Sequence, residues 1–102
     1  MLAAMPTVKH ARGDVLFVLD PLETIHPKKD SSYLMIAEAL RRGYRPWMVE
    51  LPGLLLRGAD AVARAYPLGL RELGAPLHVD GDPQVRPLAD FRVVVMRKDP
   101  PV

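Results

Sequence analysis

Two apolar runs of unusual continuity frame the chain. Val15 to Leu19 reads V-L-F-V-L between Asp14 and Asp20, and Phe91 to Met96 is interrupted only by Arg92. Neither alternates. A strand with one wet face shows period-two alternation, whereas a strand covered on both faces has no polar side to show. Both runs are therefore expected as central strands of a mainly parallel sheet. Between them Tyr33, Ile36, Ala37 and Leu40 recur at helical spacing, which predicts an amphipathic helix from Ser31 to about Arg42. Asp30 or Ser31 suits its amino-terminal cap, since a short side-chain oxygen accepts an orphan backbone N–H. Arg41 and Arg42 complement the negative end of the helix dipole, and Gly43 suits the position just past the last turn. Arg45 to Leu51 is expected to contain a second strand, with Trp47 and Val49 alternating against Met48 and Glu50. Strand, loop, helix, strand is the order of a right-handed βαβ unit. The expected fold class is α/β: a Rossmann-like, open, mainly parallel sheet with flanking helices.

The middle of the chain leaves two readings open. Leu54-Leu55-Leu56, Gly58-Ala59-Asp60 and Ala61 to Leu68 suit a hairpin. Alternatively, Ala59 to Tyr66 forms a short helix that Pro67 ends. Gly69 to Pro87 carries three glycines and three prolines, so loop is expected there with one short element at most. Residues 1–13 lack periodicity and read as a loose leader before a single domain at 14–102.

Length and composition narrow the classes. A chain of 102 residues suffices for one core, and 49% hydrophobic with 25% charged residues marks a globular domain. Fourteen basic residues against twelve acidic ones are scattered, without the basic stripe that nucleic acids require. The absence of cysteine rules out disulfides and thiolate zinc sites, and suits a reducing compartment. No apolar run approaches the roughly 18 residues of a membrane span. Met1 to Pro6 has neither the charged nor the apolar region of a secretion signal. A cytoplasmic protein, with neither membrane nor nucleic acid among its partners, is expected.

Little here is catalytic by itself. His10, His26 and His78 have no metal-ligand spacing. The phosphate-cradling glycine loops and the G-x-S-x-G nucleophile turn are missing, so no catalytic, cofactor-binding or metal residue is assigned. Met35 and Trp47 are expected in the core. Two polar clusters remain. The loop after the first strand, Asp20-Pro21 onward, ends on Lys28-Lys29-Asp30-Ser31-Ser32 at a helix amino terminus, where N–H groups, hydroxyls and ammonium groups suit a carboxylate or phosphate. Arg97-Lys98-Asp99 leaves the last strand, with a guanidinium for an anion and a carboxylate for an amine. Taken singly, the first is also an ordinary solvated cap and the second an ordinary strand-ending charge cluster. If the two strands are parallel, both clusters reach the same sheet edge, where open α/β sheets bind ligands. Lys29, Asp30, Ser31, Ser32, Arg97 and Asp99 are thus the candidate substrate or phosphate contacts. A sequence that stops at Met96 to Val102, just as such a loop begins, is expected to be the first domain of something longer.

At these same residues the sequence resembles the amino-terminal domain family of prokaryotic glutathione synthetase. The stretches are F-V-L-D-P at Phe17 to Pro21, K-K-D-S-S at Lys28 to Ser32, A-x-R-R-G-Y at Ala39 to Tyr44, and P-L-A-D at Pro87 to Asp90 followed by M-R-K-D-P-P at Met96 to Pro101. They keep their order from about Asp14 to the terminus. The resemblance implies a bacterial ATP-grasp ligase that joins γ-glutamylcysteine to glycine, with ATP and Mg2+, through an acylphosphate. Nucleotide and metal would be held by domains downstream of this one, so the chain alone would be inactive and bind no cofactor. Lys29 and Arg97 would be its basic contributions toward peptide or reacting phosphate, and a homo-oligomer is implied. Pro67, the Gly69 to Pro87 stretch and the leader depart from the family pattern. The alternative reading is a stand-alone α/β binding or oligomerisation module derived from that domain.

Overall fold

The computed structural model describes residues 12–27 and 29–97. In chain order these form β1 (Gly13–Val18), α1 (Ser31–Arg41), β2 (Tyr44–Val49), β3 (Leu54–Arg57), β4 (Asp60–Gly69), β5 (His78–Val79), β6 (Gln84–Pro87) and β7 (Val93–Met96). Short 3-10 turns stand at Leu22–Thr24, Leu51–Gly53 and Leu88–Asp90. The sheet runs β3-β4-β2-β1-β7, with β5 and β6 added on β4.

The V-L-F-V-L run does form the central strand. β1 is parallel to β2 on one side and to β7 on the other. Its alternate side chains feed two cores. Leu16 and Val18 join Trp47, Val49, Ala63, Ala65 and Phe91, while Val15 and Phe17 join Leu19, Ile36, Met48 and Leu68. Helix α1 covers the second face. Its buried residues include Tyr33, Ile36 and Ala37, with Leu40 partly covered, so the helical spacing marks the face that packs. Asp30 caps it by accepting the Ser32 N–H at 2.8 Å. Gly43 takes φ +90° just beyond Arg42, a conformation that costs any residue with a Cβ. Tyr33, fully buried, ties the helix to the following loop: its hydroxyl donates to the Ala75 carbonyl at 2.5 Å and accepts the Gly74 N–H at 2.9 Å.

Arg86 sits over the first face. Its guanidinium lies 5.0 Å from the Trp47 ring centroid and 4.7 Å from that of Phe91, and pairs with Asp14 at 3.0 Å. Asp14 also accepts the Trp47 indole N–H at 3.1 Å. An apolar face is thereby roofed by a stacked, paired cation whose stem also packs.

Several expectations are corrected. The sheet is mixed rather than mainly parallel: β2-β1-β7 is parallel, but β4 is antiparallel to β2, β3, β5 and β6. The architecture is α/β with a mixed sheet, and α1 is the one α-helix among the described residues. Among the described residues the last apolar run is an edge strand, not a central one. It begins at Val93, after Phe91 has turned into the core, and Val93, Val94 and Met96 are 49%, 42% and 62% exposed. Met35 faces out at 38% exposure instead of joining the core.

The open question at residues 54–68 resolves as a hairpin. β3 and β4 pair around Gly58-Ala59, with Gly58 at φ +64°. Pro67 lies inside β4 opposite Trp47 rather than ending a helix. The Gly69 to Pro87 stretch contains two short strands because β4 is long enough to pair on both flanks. Within the expected leader, Arg12 donates its N–H to the Gly43 carbonyl at 3.3 Å and Gly13 opens β1. The remainder, at 1–11, lies outside the described residues.

Candidate functional site

Parallel pairing sends the chain out of β1 and β7 on the same side of the sheet. The loop after β1 returns there to start α1, so three backbone segments meet at one edge. They line an open cavity of about 550 Å³. Leu19, Pro21, Thr24 and Ile25 give it an apolar and hydroxyl wall, while Asp20, Lys29, Asp30, Ser31, Ser32 and Arg97 bring polar groups. A carboxyl edge of parallel strands beside a helix amino terminus is where α/β sheets place ligands.

Arg97 organises the polar side. Its backbone N–H donates to the Val18 carbonyl at 2.9 Å, extending the β1–β7 ladder by one residue. Its side chain then crosses to the helix: Nη2 donates to Ser31 Oγ at 3.0 Å and Nε to Ser32 Oγ at 3.3 Å. The guanidinium is held on two sides, which lowers the entropy lost when it meets an anion. Each serine hydroxyl accepts from Arg97 and so retains its own proton to donate.

Asp30 has a different task. One carboxylate oxygen is engaged with the Ser32 N–H as the helix cap, which shapes the floor of the cavity. Lys29 is exposed at the rim, with its backbone N–H bonded to the His26 carbonyl at 3.3 Å. The structure thus brings together Lys29, Asp30, Ser31, Ser32 and Arg97; Lys28 and Asp99 lie outside the described residues. Thr24 and Ile25 were not singled out by the sequence. Nothing in their local pattern marks them, because the 3-10 turn at Leu22–Thr24 is what carries them to the wall. With Lys29 and Arg97 opposed by Asp20 and Asp30, the cavity suits a ligand carrying an anion and a cationic or hydrogen-bond-donating group. No group of three His, Asp or Glu able to hold a metal occurs among the described residues.

Fold and pocket together define a class: a small α/β domain with an open cavity where its parallel strands end. The family follows from the chain itself. Residues 14–102 match the model of the prokaryotic glutathione synthetase N-terminal domain, and the chain belongs to that family. Relatives named glutathione synthetase include one from Yersinia pestis, 40% identical over 84 residues, covering 82% of this chain and 26% of the relative. One from Xanthomonas axonopodis pv. citri is 42% identical over 89 residues, covering 87% and 28%. One from Escherichia coli is 42% identical over 84 residues, covering 82% and 27%. The chain thus spans about a quarter of the length of the curated relatives it matches. No described helix is long and apolar enough to cross a membrane.

Proposed function

We propose that this domain is the substrate-side, amino-terminal part of an ATP-dependent ligase that joins γ-glutamylcysteine to glycine. Family membership supports the reaction, and one observation supports the role of this domain in it. Arg97, at the end of β7, is braced on Ser31 and Ser32 at the amino terminus of α1, inside the cavity. A cation fixed in that way can meet a carboxylate of the peptide, or the charge that develops as that carboxylate becomes an acylphosphate. Lys29 adds a second, more mobile cation at the rim, and Asp20 faces the same space for a donor group on the substrate. Asp99 is proposed as a further contact from the loop after β7.

In this reading the domain occupies residues 14–102 and residues 1–13 are a leader. ATP and Mg2+ are held by ATP-grasp domains further along a longer polypeptide. The described residues offer no metal cluster of their own, so no step is routed through an ion here. The domain alone has no turnover, and the whole protein works in the cytoplasm as a homo-oligomer. The deciding assay supplies the protein carrying the complete downstream frame with γ-glutamylcysteine, glycine, ATP and Mg2+. Glutathione formation is expected, with none from the 102-residue chain alone. Turnover by the short chain, or a complete protein that binds γ-glutamylcysteine but never couples it to glycine, would sink the reading.

A further inference from the structure

A second cavity, of about 470 Å³, opens beside the antiparallel half of the sheet. It lies on the same face as α1, since Met48 and Tyr66 pack in the cluster that Ile36 joins, yet no α1 residue lines it. Among the described residues it shares no lining side chain with the cavity around Arg97. The turn at Leu22–Thr24 stands between the two, with Thr24 on the wall of one and Leu22 and Glu23 on the wall of the other.

Strand pairing explains its polar groups. Met48 on β2 is opposite Tyr66 on β4, and both line the cavity. Two residues further along that register, Glu50 comes opposite Arg64. Opposite charges at such a position ordinarily attract into a cross-strand pair. Here the pair is not made. The Arg64 guanidinium is turned onto Tyr66, 5.5 Å from its ring centroid, with Nη1 donating to Oη at 2.6 Å. No hydrogen bond or ion pair engages the side chain of Glu50 or Glu23 among the described residues. Tyr66, accepting from Arg64, keeps its own hydroxyl proton to donate. A fixed cation and two free carboxylates thus share one space, with Leu22 and Val79 as apolar walls.

We propose that this cavity binds a free amino acid with an apolar side chain. Its carboxylate meets Arg64 and Tyr66, its ammonium meets Glu50 and Glu23, and its side chain lies against Met48, Leu22 and Val79. A simple anion would face two carboxylates and a simple cation would face the guanidinium, so only a ligand carrying both charges satisfies every group. The volume is that of a small-molecule site, and apolar walls with a few convergent polar groups are its usual make-up. Glycine does not fit the description, because it has no side chain to bury against those walls. The proposal does not depend on the ligase reading.

Two-dimensional NMR of the 102-residue chain, titrated with L-leucine, reads the site directly. Saturable shifts are expected at the amides of Gly53, Tyr66 and Val79 and not at those of Ser31 and Ser32. 3-Methylbutylamine lacks the carboxylate and 4-methylpentanoate lacks the ammonium; each should bind roughly tenfold more weakly, as should glycine. Arg64→Gln should weaken leucine to the level of the amine, and Glu50→Gln to that of the acid. Both variants should melt near the parent, because both side chains are exposed. Absence of saturable shifts with leucine, equal affinity for all these ligands, or shifts at Ser31 and Ser32 instead overturns the site. Shifts at Gly53, Tyr66 and Val79 produced by γ-glutamylcysteine and not by leucine would also overturn it, since the cavity would then belong to the reaction proposed above.

Discussion

The two halves of the sheet bury their strands in opposite ways. In the parallel half, β1 lies between two parallel neighbours, carries apolar side chains on both faces and is sealed by α1 on one side and by Arg86 and Phe91 on the other. In the antiparallel half, β4 does the work of a spine. It alternates Ala63 and Ala65 into the core with exposed Arg64, and it recruits β3, β5 and β6 as short flanks. β1 is apolar along its length because both of its faces are covered, whereas β4 leaves Asp60, Ala61 and Arg64 exposed while sending Ala63 and Ala65 into one core and Leu68 into the other. The cavity around Arg97 belongs to the parallel half alone, since only there do two strand ends and a helix start converge. The candidate site and the deepest burial therefore share one side of the molecule.

That contrast makes quantitative predictions. Phe17→Ala should cost about 3–5 kcal/mol, as expected for a buried aromatic in a packed core. Leu56→Ala in β3, where the side chain is 80% exposed, should stay within about 0.5 kcal/mol. Chemical denaturation of both variants measures the difference, and equal losses would erase the distinction between the halves.

Arg97→Ala tests the proposed role of the parallel half. If the complete protein is the ligase proposed above, turnover should fall by roughly tenfold to a thousandfold, as when one preorganised charge-stabilising donor is removed. Melting temperature should move far less, because the bonds to Ser31 and Ser32 are at the surface end of the helix. A variant with near-normal turnover per folded molecule and a much lower melting temperature would make Arg97 a strut only.

Gly53→Ala tests where the halves are joined. A Cβ there would stand 2.9 Å from Val49 Cγ2 and 3.4 Å from the Arg64 carbonyl oxygen, one from each half. Overpacking of this kind costs about 1–3 kcal/mol, and thermal unfolding would show it. Asp30→Ala should cost about 1 kcal/mol by removing the cap of α1, while Asp30→Ser should recover most of it. If the alanine variant were as stable as the parent, the cap would not be contributing.

The smallest effect is electrostatic. Glu38 accepts from Arg41 and Arg42, and those bonds, Arg41 first, hold its carboxyl at about 2 instead of the ordinary 4.5. Because the folded value is the lower one, this contribution is complete above about pH 4.5 and disappears as pH falls toward 2. All three side chains are exposed, so solvent screening keeps it small. Stability measured across that window should slope slightly less in Glu38→Gln than in the parent.

Local rules account for much of what was legible in the sequence. The β1 run, the α1 face of Tyr33, Ile36 and Ala37, the Asp30 cap and the Gly43 exit each depend on residues a few positions apart, so spacing and side-chain chemistry suffice. The convergence of Arg97 with Ser31 and Ser32 was also accessible, because parallel strands force it. Failures came where burial depends on partners distant in the chain. V-V-V-M looks the same whether it is central or at an edge, since apolarity reports what a strand can bury and not what stands beside it. Ala59 to Tyr66 satisfies helix propensity, yet pairing with β3 and β6 on two flanks outweighs it.

The sequence by itself thus determined the parallel βαβ start and the capped helix, because each is written in contacts of short range. Tertiary structure alone decided that the sheet is mixed and that β7 lies at its rim. It also decided that Thr24 and Ile25 wall the cavity and that Arg97 is braced by serines 65 and 66 positions away. Those outcomes are set by which strands find one another, and the free energy of that choice is shared among side chains that no local window contains.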